Sequence, residues 1–422
     1  MEELYKKFVK ILHEELKPAM GCTEPIAISY AASIVRKVLD KLPTSVDVYV
    51  SGNILKNVKS VTVPNTNGLH GIASAVAVGI LGGDPLKELE VIANVSEEVI
   101  REIPDYISKT PINIKDADNE HTLYIEIIGR CERSYARVII QDAHTNVVLV
   151  EINESVIFKK AEEKYIEEVK TDKSILSIEK IVDFASKVDL SLVKSLLDRQ
   201  IEYNMNIALE GLKNKYGANI GKTILKYGSD DIVTYCKALA ASGSDARMNG
   251  CDMPVVINSG SGNQGMTASV PVIAYARKKG YSQEELYRAL IVSNLCTIHI
   301  KNSIGKLSAF CGVVIAGSGC GAGIAYLEGG RFTEIAHTIV NSLAIISGML
   351  CDGAKSSCAA KIASSVEAGI LGYYMYKDGN EFVGGDGIVK AGVENTIKAI
   401  GTVARVGMCQ TDKEIIHLMI EK

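Results

Sequence analysis

The sequence predicts an α+β protein, in which a small antiparallel sheet with flanking helices precedes a mostly helical part. Strand-like runs rich in β-branched residues cluster between residues 47 and 152, separated by turn residues such as those at 142–146. From residue 172 onward, apolar residues recur at helical spacing. We therefore expect an α+β domain over residues 1–171 and a mostly helical catalytic domain over residues 172–422.

The individual elements are predicted in chain order from the same patterns. Residues 1–17 carry apolar residues at helical spacing, and Pro25 is typical of the first turn of a second helix that reaches about Leu39. Amphipathic helices are expected at 175–187 and 190–215, and later helices are apolar on every side. Short β-branched runs predict strands at 47–51, 60–64, 122–128, 133–141 and 146–152.

Composition excludes several classes of function. The net charge of −4 over 422 residues gives no basic field for nucleic acid or an anionic membrane. The ten cysteines contain no C-x-x-C pair, and no apolar leader precedes the first charged helix, so we expect a cytoplasmic protein. The last 182 residues hold 25 of the 37 glycines and 7 of the 10 cysteines, so we expect the chemistry there.

Two long windows, 255–276 and 307–327, contain no charged residue. Each is long enough to span a bilayer, but glycine clusters and polar residues interrupt both. The connections mix acids and bases without a one-sided excess of Lys and Arg. We therefore predict buried helices of a globular bundle and no membrane partner.

A Gly-x-Gly-x-x-Gly run at 260–265 follows a strand-like segment and imitates a dinucleotide-binding fingerprint. The acidic residues about twenty positions later belong to a capping box at 282–285 that opens a helix, whereas a Rossmann acid closes a strand. The alternatives are a plain glycine-rich turn or an anion-binding nest suited to a substrate carboxylate. In the second case the substrate-binding residues are Ser259, Ser261, Asn263 and Gln264.

Four motifs give the chain a resemblance to the L-cysteine desulfidase family, relatives of iron–sulfur L-serine dehydratase alpha chains. The similarity runs nearly end to end. The motifs are Gly21-Cys22-Thr23-Glu24-Pro25, the 259–265 loop, Ser308-Ala309-Phe310-Cys311-Gly312 and Cys351-Asp352-Gly353-Ala354-Lys355.

The resemblance implies an oxygen-sensitive [4Fe–4S] cluster held by Cys22, Cys311 and Cys351, and no pyridoxal phosphate. The dehydratase relatives carry a further ligand eleven residues beyond the last of these cysteines, where this chain has Ile362. The nearest thiol, Cys358, lies only seven residues beyond, and this departure favours Cys22 over Cys358 for the third position. Cys320, nine residues after Cys311, is the other rival. Three thiolates leave one iron open as a Lewis acid, which suits the sulfide leaving group of L-cysteine.

The base that removes the Cα proton is not singled out by any spacing. Lys355 shares a face with Cys351 if a helix begins there, and Lys306 and Ser308 lie just before Cys311. Asn65, with Thr66, is expected to orient the substrate from the first domain, and Arg247 either clamps a carboxylate or pairs with a neighbouring Asp.

The resulting hypothesis is an L-cysteine desulfidase that releases hydrogen sulfide, pyruvate and ammonia. Its first rival is an iron–sulfur L-serine dehydratase. Rivals of other classes are a cluster-bearing redox or sulfur sensor without turnover and a nucleotide-dependent oxidoreductase. The expected partner is a small-molecule substrate, with no nucleic acid, and a homodimer is left open.

Overall fold

A computed structural model describes residues 2–20, 23–117, 119, 121, 123–160, 171–305 and 308–420, and the fold is α+β as predicted. Helices of the first part of the chain are α1 to α5, at Glu2–Glu15, Thr23–Leu39, Gly52–Val58, Gly71–Gly82 and Glu97–Lys109. Its strands are β1 to β7, at Pro18–Met20, Ser45–Val50, Ile112–Asp116, Tyr124–Cys131, Ser134–Gln141, Val147–Ile152 and Ser155–Lys159. The predicted helix that ends at Leu39 is confirmed as α2.

Six of these strands form one sheet in the order β3-β2-β4-β5-β6-β7, in which only the β2–β3 pair is parallel. Alternate residues of β2, namely Val46, Val48 and Val50, are buried, because successive side chains of a strand point to opposite faces. α2 packs on this sheet over β4 and β5. The predicted antiparallel sheet is therefore mixed at one edge.

The strand predicted at 60–64 is wrong. Val61 and Val63 are buried, but their backbone groups bond to Gly71 and Leu69 across a tight loop, which leaves a single Thr62–His70 bridge. The burial explains the apolar alternation, and the local loop explains why no strand forms. β3 and β7 were not predicted.

The later part of the chain is mostly helical, as predicted from its periodicity. Its one strand among the described residues, β8 at Pro254–Val256, pairs antiparallel with β1. Short 3₁₀ helices lie at Pro85–Glu90, Lys173–Ile175 and Leu190–Leu192, and a π-helical turn at Val403–Gly407. Helices α6 to α16 are Ile178–Lys187, Lys194–Lys213, Ile220–Tyr227, Ile232–Met248, Gly262–Lys279, Gln283–Ile304, Gly312–Leu327, Phe332–Ile345, Cys358–Lys377, Val393–Thr402 and Cys409–Ile420.

The buried helices α10 and α12 occupy most of the two charge-free windows, which confirms the prediction of buried helices. α10 and α12 are buried on nearly every side, and α12 packs against α10, α11, α13 and α14. Among the described helices, none combines the length and hydropathy needed to cross a bilayer.

Two hydrophobic cores organise the molecule. One lies between α2, α4 and the six-stranded sheet, and the other fills the helical part. Phe8, Ile11 and Leu12 of α1 belong to the helical core, whereas Ile416 of α16 packs against the sheet core. Both ends of the chain thus join the two cores, and a division between residues 171 and 172 stays a prediction.

Candidate functional site

A cavity of about 490 Å³ is lined by elements from both cores. α2, α3 and the β5–β6 turn contribute from the sheet side, and α10, α11 and the segments around residues 311 and 351 contribute from the helical side. The cavity brings together most of the residues predicted for the site, namely Ser259, Ser261, Asn263, Gln264, Ser308, Cys311 and Cys351.

The glycine-rich loop forms a tight turn that delivers a helix N-terminus to the cavity. Asn258 and Ser261 exchange two backbone hydrogen bonds of 3.1 Å, and Ser259 and Gly260 have φ values of 50° and 80°, as a type I′ turn requires. Ser261 then caps α10 by accepting a hydrogen bond from the Gln264 backbone. The free N–H groups of this 18-residue helix favour an anion.

The structure does not support the hypothesis that this loop binds a dinucleotide. β8 has three residues and pairs antiparallel with β1, so no parallel βαβ unit precedes the helix. The predicted capping box at Ser282 and Glu285 is confirmed, so this acid caps α11 rather than binding a ribose. The loop presents a helix N-terminus to the cavity, but no nucleotide-binding fold surrounds it.

Polar side chains surround the start of α10. Arg247, at the end of α9, donates a long hydrogen bond of 3.4 Å to Asn263 Oδ1. Gln264 is 6% exposed, and its Oε1 atom has no hydrogen-bond partner among the described residues. A buried amide oxygen without a partner costs free energy unless a ligand supplies a donor. Together these groups can bind a small polar anion and a neighbouring donor.

Cys311 and Cys351 are brought together by a short antiparallel pairing. Phe310 and Leu350 form a bridge, flanked by hydrogen bonds from Cys311 N to Met349 O at 2.9 Å and from Cys351 N to Ala309 O at 2.6 Å. Residues flanking a bridged pair project to the same side, so both thiols face the cavity. Cys311 also stands at the N-cap position of α12, the glycine-rich helix that follows it.

The two thiols share a hydrogen bond and have opposite pKa shifts. The contact with Cys311 lowers the pKa of Cys351, helped by the backbone N–H of Gly353 and by the charges of Lys56 and Lys361, against the effect of burial. The same contact and burial raise the pKa of Cys311. Within the pair, the thiolate form is therefore favoured at Cys351 rather than at Cys311.

The other candidate cysteines differ in whether they line the cavity. Cys358, the first residue of α14, lines the cavity, and burial raises the pKa of its thiol. Cys320 is fully buried within α12 and does not line the cavity. Cys22 lies outside the described residues, although the next two residues, Thr23 and Glu24, line the cavity. Across the described ranges, no group of three or more His, Cys, Asp or Glu side chains is placed to hold a metal ion.

The structure does not place a free proton acceptor in the cavity at any described residue that the sequence predicted as the base. The condition under which Lys355 would share a helix face with Cys351 is not met, because α14 begins at Cys358. Lys355 forms an ion pair of 2.9 Å with Asp352 outside the cavity lining. Ser308 lines the cavity, but its hydroxyl donates to Ala404 O at 2.7 Å. Lys306 lies outside the described residues. Lys301 of α11 lines the cavity, and burial lowers its pKa.

Asn65 and Thr66 are turned away from the cavity lining. The Asn65 amide donates to Ile92 O at 2.9 Å, and the Thr66 hydroxyl donates to Val63 O at 2.7 Å. Thr66 thus closes the loop after residue 60, whereas Asn65 ties this loop to the segment at Ile92. Neither residue is among those that line the cavity.

Sequence reasoning missed Glu24 and His144 as site residues. His144 reaches the cavity from the β5–β6 turn, and its Nε2 lies 3.2 Å from Thr23 Oγ1. Burial lowers the pKa of His144 below its ordinary value of 6.5, against the opposing charge of Glu24. Glu24 stands within the Gly-Cys-Thr-Glu-Pro motif and could have been proposed, whereas a lone histidine in a turn carries no sequence signal.

Comparison with known proteins gives a consistent family. Residues 86–417 match the family model described as serine dehydratase alpha chain. A UPF0597 protein of Desulfitobacterium hafniense is 54% identical over 421 residues, covering 100% of this chain and 98% of the relative. UPF0597 proteins of Treponema denticola and Lachnoclostridium phytofermentans are 45% and 46% identical, each covering 99% of this chain and 98% and 100% of the respective relative.

Proposed function

The chain belongs to the serine dehydratase alpha chain family, and from this premise we propose that it is an iron–sulfur lyase that eliminates hydrogen sulfide from L-cysteine. The elimination breaks the Cα–H and Cβ–S bonds and releases aminoacrylate, which hydrolyses to pyruvate and ammonia. One observation carries the proposal: the thiols of Cys311 and Cys351 share a cavity with an anion-binding helix N-terminus and a neutral histidine.

The cysteine thiols that line the cavity are ligands of the kind that an iron–sulfur cluster requires. Cys311 and Cys351 would hold a [4Fe–4S] group, and Lys56 and Lys361 lie close enough to favour the thiolate form of Cys351. Cys22, which the resemblance assigns, is proposed as the third ligand, with Cys358 as the alternative within the same cavity. When bound through three thiolates, the cluster supplies an iron that accepts the leaving sulfur as a Lewis acid.

The start of α10 is proposed to hold the substrate carboxylate. Its backbone N–H groups, the side chains of Ser259 and Ser261 and the guanidinium of Arg247 all reach the cavity. The Gln264 amide and Asn263 complete this polar wall. Binding here leaves the substrate thiol free to extend toward the cysteine pair.

His144 is the proposed acceptor of the Cα proton. The Thr23 hydroxyl donates weakly to Glu24 Oε2 at 3.5 Å, so its oxygen accepts from His144 Nε2–H. This tautomer leaves the Nδ1 lone pair to take the proton, and burial keeps the ring neutral. His144 therefore replaces Lys306, Lys355 and Ser308 as our first candidate for the base.

L-Serine dehydratase is the second candidate, favoured by the description of the matching family. Its hydroxyl leaving group would use the same cavity. Pyruvate release from L-cysteine and from L-serine, measured on anaerobically reconstituted protein, separates the two. We expect a higher kcat/KM with L-cysteine, and a higher value with L-serine would reject our choice.

A further inference from the structure

The cavity has a strongly unequal distribution of charged side chains. Among its described lining residues, the cations are Lys17, Lys56, Arg247 and Lys301, whereas Glu24 is the one carboxyl group. Lys56 is 5% exposed and pairs with Asp412 Oδ1 at 2.5 Å, so part of this positive charge is already compensated from outside the cavity. Glu24 thus marks the one wall of the described cavity that favours a cation.

Hydrogen bonds from residues of α2 and α3 orient the Glu24 carboxylate. Glu24 lies in the first turn of α2, at the positive end of the helix dipole. Asn57 of α3 donates to its Oε1 at 3.4 Å, and Thr23 donates to its Oε2 at 3.5 Å. The preceding strand β1 pairs with β8, which leads into the α10 turn, so Glu24 and the anion-binding helix are tied to one another.

An amino acid carries one positive and one negative group on the same carbon. If its carboxylate lies at the start of α10, its ammonium needs an acceptor elsewhere in the lining, and a cation placed beside the lysines or Arg247 would be repelled. Glu24 also contacts Thr23, which in turn contacts His144. A substrate ammonium at Glu24 would therefore keep Cα near the histidine.

We propose that Glu24 binds the α-ammonium of the substrate and makes the site select α-amino acids over carboxylic acids that lack the amine. This inference rests on the proposed function, because it assumes that the cavity binds an amino acid. It assigns Glu24 a role in specificity that is separate from holding a cluster and from accepting the Cα proton.

Three ligands test the inference by calorimetry on anaerobically reconstituted protein. L-Alanine and propionate differ only in the ammonium group, and neither has a leaving group, so binding is measured without turnover. 3-Mercaptopropionate carries carboxylate and thiol without the amine and reports whether the rest of the site is intact. Wild type, Glu24→Gln, Glu24→Asp and Gln264→Ala are compared, with iron content measured for each.

We expect wild type to bind L-alanine at least about tenfold more tightly than propionate, as a charge-assisted hydrogen bond implies. Glu24→Gln should lose this preference while its affinity for 3-mercaptopropionate stays within about twofold, and Glu24→Asp should retain the preference. Gln264→Ala, which removes a neutral group at the carboxylate end, should weaken all three ligands alike and keep the ratio.

The inference is overturned if wild type binds L-alanine no more tightly than propionate, if Glu24→Gln keeps the wild-type ratio, or if it loses 3-mercaptopropionate as well. Pyruvate release from L-cysteine is assayed in parallel. If wild type releases pyruvate but Glu24→Gln keeps the wild-type L-alanine-to-propionate ratio, the role of Glu24 is removed and the lyase remains. If Glu24→Gln loses the ratio but wild type releases no pyruvate from L-cysteine, the role of Glu24 is supported and the lyase is removed.

Discussion

Two adjacent cysteines show how neighbouring groups decide the chemistry of a residue. Cys311 is buried and Cys351 is half-buried beside it, yet the pKa of Cys351 is lowered and that of Cys311 is raised. The pKa of Cys351 is lowered by its hydrogen bond with Cys311, by the Gly353 N–H and by the charges of Lys56 and Lys361, against the effect of burial. A thiol prepared in this way binds a metal more readily than an isolated buried cysteine.

His144→Asn tests the proposed base. The variant keeps a polar group in the turn but cannot take the Cα proton, so we expect kcat with L-cysteine to fall about 100-fold or more while iron content is unchanged. Because burial lowers the pKa of His144, the acidic limb of the wild-type kcat/KM profile should lie below pH 6.5. A wild-type kcat in the variant would exclude His144.

Asp245→Asn tests a buried carboxyl group in α9. Burial raises the pKa of Asp245 from 3.8 to about 6, against hydrogen bonds from the Gly221 and Ile220 backbone. The folded state therefore binds the proton more tightly than the unfolded state, so this contribution to stability is complete below pH 3.8 and is lost as the pH rises through 6.

The free energy of unfolding of Asp245→Asn, relative to wild type, should accordingly rise by about 1–3 kcal/mol between pH 4 and pH 8. Urea titrations at the two pH values measure this difference, and any constant cost of the new amide cancels. A difference that is flat or falls with pH would contradict the shift.

At the scale of elements, glycines allow the central helices to approach closely. A Cβ atom at Gly321 of α12 would lie 2.3 Å from Gly369 O of α14, and one at Gly317 would lie 2.3 Å from Ser365 O. Because these obstacles are backbone atoms, they cannot move without shifting a helix. The glycine-rich composition of the later chain therefore serves packing as well as the α10 turn.

Gly321→Ala should lower the free energy of unfolding by about 1–3 kcal/mol through overpacking. Gly348→Ala is a matched control, because no heavy atom lies within 4 Å of its added Cβ and its φ needs no glycine. Urea denaturation of both variants makes the comparison. Equal stabilities would mean that α12 and α14 are packed less tightly than described.

At the scale of the molecule, α16 connects the helical part to the sheet core. Its Ile416 contacts the position of Gly52, and its Asp412 pairs with the buried Lys56 of α3 at 2.5 Å. Lys56 also lines the cavity. The C-terminal helix thus holds one wall of the candidate site in place.

A double-mutant cycle measures this connection. Asp412→Asn leaves the Lys56 ammonium buried without its carboxylate, so we expect a loss of about 1–3 kcal/mol in the free energy of unfolding. Adding Lys56→Met should recover part of that loss, because the buried charge is then removed as well. If the double variant loses as much unfolding free energy as the two single variants together, Lys56 and Asp412 are not coupled.

Local patterns predicted the elements whose signal is local. α2, α10, α12 and the capping box at Ser282 follow from proline placement, charge-free windows and capping residues. β3 was missed because its parallel pairing with β2 depends on residues about 65 positions away. The strand expected at 60–64 failed because burial, not sheet pairing, produced its alternation.

The site residues were likewise predictable only where their signal is local in the sequence. The cysteine and glycine motifs lie in one cavity because each stands at a helix start or beside a short bridge. His144 reaches the cavity only through the tertiary placement of a hairpin turn, which no spacing encodes. Lys355 was misplaced because Gly353, with φ of 90°, turns the chain before α14 begins.

Iron and acid-labile sulfide in anaerobically prepared protein test the central claim most directly. We expect about four of each per wild-type chain, and loss of the cluster in Cys22→Ala, Cys311→Ala and Cys351→Ala. Cys320→Ala, which removes a buried thiol outside the cavity, should keep the full content. Full iron and sulfide in Cys311→Ala or Cys351→Ala would contradict a cluster held in this cavity.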